Sequence, residues 1–133
     1  DIGRAILNLI TNAFYAVSEK QKSEYLKPTT ESLIYEPSVT VSTKRSPLGG
    51  KGAGPVSQTV RNEVKITVKD NGNGIPESIV NKIFQPFFTT KPVGQGTGLG
   101  LSLSYDIVKA HGGDLKVQTK EGAGTEFIIL LPS

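Results

Sequence analysis

Residues 63–76 read EVKITVKDNGNGIP. Val64, Ile66 and Val68 alternate with polar or charged neighbours, which is the period of a strand with one buried face. That strand ends on Asp70 and enters Asn71-Gly72-Asn73-Gly74, after which Pro76 opens a different pattern. Asn-Gly pairs are common turn formers. This loop, however, runs on into a helical pattern instead of returning as a hairpin, and its glycines would let backbone lie close to a flat ligand. A tight turn and a ligand-contacting loop both fit the local motif.

Upstream, VTVST at 39–43 alternates in the same way and is expected to pair antiparallel with 63–70. The Gly-, Pro- and Ser-rich connection that follows reads as a long hairpin loop, with disorder expected over residues 46–58. Residues 2–19 carry Ile2, Ala5, Ile6, Leu9, Ala13, Ala16 and Val17 at helical spacing. Downstream, Pro76 and ESIVNKIF (77–84) predict a short helix. LGLSLSYDIVKAHGG (99–113) predicts a longer one ended by Gly112 and Gly113. DLKVQT and TEFIILLP then form a hairpin about KEGAG at 120–124. This order predicts an α/β two-layer sandwich, with helices over one face of a mostly antiparallel mixed sheet. The whole of residues 1–133 reads as one domain without an internal repeat, carrying a long polar insertion around 21–61.

A chain of 133 residues with 36% apolar and 20% charged content suits one core. The absence of cysteine removes disulfides, thiolate nucleophiles and cysteine metal sites, and suits the cytoplasm. No apolar run approaches the length of a membrane span, and no basic-then-apolar leader opens the chain. Asp1 runs straight into a helical pattern, as in a fragment of a longer protein. Residues 21–62 hold six Lys or Arg against three Glu and so contain the whole excess of +3. That density falls short of a nucleic-acid footprint.

Asn8 and Asn12 lie four residues apart on one helix face. They fit structural amides tied to nearby backbone, and equally an amide oxygen offered to a hard cation held mostly by phosphate and water. Asp70, fixed at a strand end, can accept a hydrogen bond from an exocyclic amine such as that of adenine. Gly94, Gly96, Gly98 and Gly100 alternate just before a helix start, where backbone N–H groups can face phosphate oxygens. The run lacks the closing Gly-Lys-Ser/Thr of a Walker loop and the βαβ context of a dinucleotide fingerprint. Mobility alone also explains it, and a phosphate-covering lid combines both readings. Phe84, Phe87 and Phe88 fit core and hinge anchors for such a lid. Lys91 fits either a phosphate contact or a solvated side chain. His111 fits a helix C-cap, and one histidine without cysteine leaves little for zinc.

Together these stretches resemble the ATP-binding catalytic domain of two-component sensor histidine kinases, within the superfamily shared with DNA gyrase, Hsp90 and MutL. NLITNA (8–13) resembles the asparagine motif and DNGNGIP (70–76) the first glycine motif. IFQPFFTTK (83–91) resembles the phenylalanine motif and GQGTGLGLS (94–102) the second glycine motif, with HGG and GAGTEF as closing phrases. The wording FFTTKPVGQGTGLGLSLS is similar to the nitrogen-regulatory kinase type.

The resemblance implies ATP between the helices and a mobile lid around 85–98. Asn12 would coordinate Mg2+ and Asn8 would support the phosphates. Asp70 would take the adenine amine, with Gly72 and Gly74 shaping that wall and Thr125 nearby. Gly96, Gly98 and Gly100 would wrap the phosphates, and Ile75, Phe84, Lys91, Thr97, Leu99 and Leu101 complete the implied nucleotide contacts. In the gyrase, Hsp90 and MutL branch, a glutamate four residues before the magnesium asparagine activates water; here that position is Asn8. Transfer to a histidine on a separate helical dimerisation and phosphoacceptor domain is therefore favoured over hydrolysis, with a response regulator downstream. A monomeric fragment of a homodimeric, soluble or membrane-anchored protein is expected, with little autophosphorylation by itself. Two departures stand out. Tyr15 replaces a basic residue common near the phosphates, and residues 21–61 exceed the usual length, as disorder or as a docking surface. A stand-alone ATPase, a degenerate nucleotide sensor and a serine-directed kinase remain alternatives on the same fold.

Overall fold

A computed structural model describes residues 1–25, 35–47, 62–86, 88 and 100–132. Helix α1 spans Ile2–Tyr25, strand β1 Val39–Pro47 and β2 Asn62–Asp70. A 3-10 turn at Val80–Lys82 precedes helix α2 at Gly100–Ala110, strand β3 at Asp114–Lys120 and strand β4 at Gly124–Pro132. The strands form one sheet in the order β1-β2-β4-β3, and all three pairings are antiparallel. Each hairpin is local in sequence, and the β2–β4 ladder joins them. The most apolar strand, β4, thereby becomes an inner one.

Alternation decides which face is covered. Ile66 and Val68 of β2, Phe127 and Ile129 of β4 and Leu115 of β3 point to the helices and are buried. Ala5, Leu9 and Ala13 of α1 and Val108 of α2 meet them there. Side chains of the size of Leu9 or Ile129, both fully buried, contribute about 1.5–3 kcal/mol each. The two-layer arrangement is the one expected from the element order.

Three local expectations are corrected. Helix α1 runs six residues past position 19, because SEKQKSEY is rich in good helix formers. Strand β1 continues through Ser46 and Pro47, paired with Glu63 and Asn62, where disorder was expected from residue 46. Proline fits there because β1 is an edge strand, whose outer N–H groups need no ladder partner. The remainder of the expected disordered stretch, 48–58, lies outside the described residues. Finally, the short helix expected over ESIVNKIF is confined to Val80–Lys82 and is of the 3-10 type. Hydrogen bonds Ile79 N–H to Pro76 O, Lys82 N–H to Ile79 O and Gln85 N–H to Lys82 O all close three-residue steps. That step stacks Val80 and Ile83 on one side, and Ile83 enters the core.

Candidate functional site

Strand β2 delivers Asp70 to the helix-facing side of the sheet, opposite Thr125 of β4. Both are 5% exposed. An Asp70 carboxylate oxygen accepts the Gly72 N–H at 2.8 Å, and the Thr125 N–H also donates to the carboxylate. Burial pushes the Asp70 carboxyl above its ordinary range. The bonds from Gly72 and Thr125 and the charge of Lys20 pull the other way without offsetting it. A carboxylate has about four acceptor sites, so two backbone donors leave room for a ligand amine. Behind it, the Thr119 and Thr125 hydroxyls lie 2.9 Å apart, and Thr119 Oγ1 accepts the Ile75 N–H at 2.8 Å. Ile75 is thus fixed by its backbone while its side chain packs on the core.

The glycines of this corner answer to the protein's own backbone. A Cβ on Gly72 would come within 2.9 Å of the Ala16 backbone on α1. Gly74 has φ +75°, and a Cβ there would collide with Lys120 O. Both glycines are thus required by the close approach of α1 and of the β3–β4 turn, independently of any ligand. That turn is also bonded to the loop, through the Gly122 N–H and Asn73 O at 2.6 Å.

Two residues of this corner escaped the sequence reading. Lys20 Nζ donates to Gly122 O at 2.9 Å and, at a long 3.5 Å, to Gly72 O, and lies 5.0 Å from the Tyr35 ring centre. The Tyr35 hydroxyl stands 3.1 Å from both Asn71 O and Asn71 Oδ1. The signal for Lys20 was available: it continues the Ala13, Ala16, Val17 face by one step. Tyr35 had none, because its partner lies 36 positions away.

At the other end of α1, Asn8 Nδ2 donates to Gly100 O at 3.3 Å, tying α1 to the first residue of α2. Ser104 Oγ donates to the same carbonyl at 2.8 Å. Asn12 follows one turn later on the Asn8 face and is partly buried. Tyr15 stands beside Glu19, whose charge and hydrogen bond add to burial in raising its pKa. Leu101 packs against the core, whereas a Cβ on Gly100 would meet nothing within 4 Å. The Phe84 ring lies 5.3 Å from Tyr105 and 6.3 Å, edge on, from Phe127, an anchoring position between α2 and β4. His111 Nδ1 meets Ile107 O at 2.8 Å, as a C-cap. Lys91, Gly96, Thr97, Gly98 and Leu99 lie outside the described residues, as does most of the expected lid.

A shallow concavity of about 290 Å³ reaches Asp70, Thr119 and Thr125 from the sheet end, beside Lys69 and Glu126. Lys69 and Glu126 are paired neighbours on the helix-free face, so this hollow opens at the sheet end and not between the helices. Among the described residues no three His, Cys, Asp or Glu converge as a metal-ligand group.

Residues 1–133 in full match the family described as Histidine kinase-, DNA gyrase B-, and HSP90-like ATPase. The chain belongs to this family. Within it, the similarities are to the histidine kinase branch, and the chain is an ATP-binding catalytic domain of that type. It is 54% identical over 69 residues to the sensor kinase CckA of Brucella abortus, covering 52% of this chain and 7% of the relative. To the signal transduction histidine-protein kinase AtoS of Escherichia coli it is 52% identical over 67 residues, covering 50% and 11%. To sporulation kinase E of Bacillus subtilis it is 41% identical over 86 residues, covering 65% and 11%. The match therefore spans only about a tenth of these relatives' length. The solved structure of the mycobacterial sensor histidine kinase MprB superposes with a TM-score of 0.61 at 27% identity, over 98% of this chain and 68% of the other. No helix among the described residues is long and apolar enough to cross a membrane.

Proposed function

We propose that this domain binds Mg-ATP and donates the γ-phosphoryl group to a histidine on a separate helical dimerisation domain, for onward passage to a response regulator. The observation that carries the nucleotide half is the Asp70 corner. A buried carboxylate there is held by two backbone N–H groups and keeps acceptor capacity for an exocyclic amine. An adenine amino group donates to such an acceptor, whereas the keto oxygen of guanine would face it unfavourably.

The Asn8–Asn12 face and the start of α2 form the phosphate end of this proposal. Asn12 offers a neutral, hard amide oxygen, which fits a magnesium ion already coordinated by phosphates. When bound, the ion neutralises phosphate charge. Asn8 uses its Nδ2 on Gly100 O, so it holds the α2 start in place. An amide cannot take a proton from water, so no general base stands where a hydrolytic relative would carry a glutamate. Transfer is then mostly positioning. An acceptor imidazole nitrogen bonds to the γ-phosphorus as the bond to ADP breaks, and the imidazole proton leaves to a base on the partner domain. Lys91 and the second glycine motif belong to this phosphate end, as does the lid. Without the partner domain the 133-residue chain should autophosphorylate negligibly.

The test mixes this chain with a phosphoacceptor helical domain supplied separately and γ-labelled ATP. Acid-labile, alkali-stable label on the partner, lost with Asn12→Ala, supports transfer to histidine. Steady ADP release with no labelled partner would point to an ATPase instead.

A further inference from the structure

We propose that Lys20, Tyr35 and Asn71 are positioning residues for the Asp70 corner, through which the 35–38 segment of the polar insertion sets affinity for the nucleobase. The inference rests on the nucleotide reading above and adds residues that its motifs do not contain.

The geometry is a closed set of bonds. Lys20 extends from α1 with one donor on Gly122 O, a longer one on Gly72 O and its charge against the Tyr35 ring, so two of its three N–H bonds are directed at protein carbonyls. It therefore braces the loop after Asp70 against the β3–β4 turn and is not left to reach phosphate. Asn71, next to Asp70, is held on every polar edge. Its Nδ2 donates to Glu36 O at 2.8 Å, and its Oδ1 accepts the Ser38 N–H at 2.8 Å. Its own N–H donates to Ser38 O at 3.2 Å. Tyr35 closes the set with a single hydroxyl proton facing Asn71. Burial, then the charges of Asp70 and Glu24, raise the Tyr35 pKa and so keep that proton in place.

The charged groups acting here are few. Lys20 of α1 lowers the Asp70 pKa, Tyr35 faces Asp70 from the 35–38 segment, and Glu24 of α1 acts on Tyr35. Beta strands β3 and β4 contribute the uncharged hydroxyls of Thr119 and Thr125. Removing Lys20 loosens the loop and also lets Asp70 hold its proton to higher pH. A purely structural brace would do only the first.

The experiment is calorimetric titration of the 133-residue chain with Mg-ATP across pH, for the original sequence, Lys20→Met, Lys20→Arg and Tyr35→Phe, with thermal unfolding of each. Lys20→Met should weaken binding about tenfold, as expected for the loss of a charge-assisted hydrogen bond. It should also move the acidic midpoint of binding upward. Lys20→Arg should recover most of the affinity and the midpoint. Tyr35→Phe, which keeps the ring and loses one hydrogen bond, should weaken binding roughly three- to fivefold. Unchanged affinity and midpoint in Lys20→Met, with the original chain binding well, would overturn this inference alone. No Mg-ATP binding by the folded original chain would overturn it together with the nucleotide reading. Should Lys20→Met fail to fold, Tyr35→Phe decides: original affinity in that variant overturns the inference.

Discussion

The two ends of helix α1 are held in different ways. Toward its C-terminus, Ala16 abuts the Gly72 backbone and Lys20 bonds two carbonyls of neighbouring loops, so the Asp70 corner is packed and braced from several elements. Toward its N-terminus, above the core contacts of Ala5 and Leu9, two polar ties to α2 are long hydrogen bonds, from Asn8 Nδ2 to Gly100 O at 3.3 Å and from Ser104 Oγ to Ala5 O at 3.4 Å. A base-recognising end benefits from rigidity, because a misplaced acceptor loses selectivity. A phosphate end that must admit ATP, release ADP and meet an acceptor benefits from a weaker tie. The difference in construction matches the difference in task proposed for each end.

The largest expected effect breaks the rigid end. In Gly72→Val the new side chain must displace the Ala16 backbone, and overpacking of this kind costs typically 1–3 kcal/mol. Urea unfolding should show the loss, and Mg-ATP binding should fall below detection. Smaller is the effect at the looser end. Asn8→Asp replaces a donor by a second acceptor opposite Gly100 O, and should cost about 1–2 kcal/mol in stability while leaving the Asp70 corner intact. The same urea curves, read beside the Asp70 titration followed by NMR, separate the two ends.

Acid sharpens the comparison without mutation. Because the folded Asp70 carboxyl titrates above its unfolded value, the folded state binds that proton more readily. This group's contribution to stability is therefore present below the unfolded carboxyl range and is lost as pH rises through the folded pKa. Nucleobase binding, which needs the ionised acceptor, should run the opposite way and weaken as pH falls through that same window. Calorimetry and unfolding measured side by side from neutral to mildly acidic pH check the opposed slopes. The smallest effect belongs far from both ends. Lys109 stands 3.0 Å from Asp114 and holds that carboxyl below its ordinary range. Lys109→Gln should return the Asp114 titration, followed by NMR, toward the ordinary range and leave ATP affinity unchanged.

How much of this was legible in the sequence depended on whether the deciding contacts were local. The faces of β2 and β4 followed from alternation at Val64, Ile66 and Val68 and from the apolar run at 127–131, since burial imposes that period. Asp70 and Thr125 belong to motifs legible in the sequence, and the register places them opposite each other. The β2–β4 ladder was not legible, because it joins residues some 60 positions apart and no turn fixes it. The 3-10 type of the short helix in ESIVNKIF was not legible, since apolar pairs at 79–80 and 83–84 suit an α-helix and a chain of 3-10 turns alike. The tight packing at Gly72 and Gly74 was not legible, because their neighbours, Ala16 and Lys120, come from distant segments. Lys20 and Tyr35 were missed because a lysine and a tyrosine in a polar stretch look solvated until their partners are in place.

The central claim is that a buried carboxylate at the end of β2 receives the adenine of ATP, and Asp70→Asn tests it most directly. The substitution keeps size and shape; it removes a charge that burial disfavours but leaves a single oxygen to accept from the Gly72 and Thr125 N–H groups, so thermal unfolding is measured beside binding. Mg-ATP titrated calorimetrically into the original chain and into this variant should show binding that falls by about a hundredfold or more, the size expected when a charged acceptor of a buried hydrogen bond is lost. Equal affinity in the two proteins, both folded, would contradict the account and place the nucleobase elsewhere.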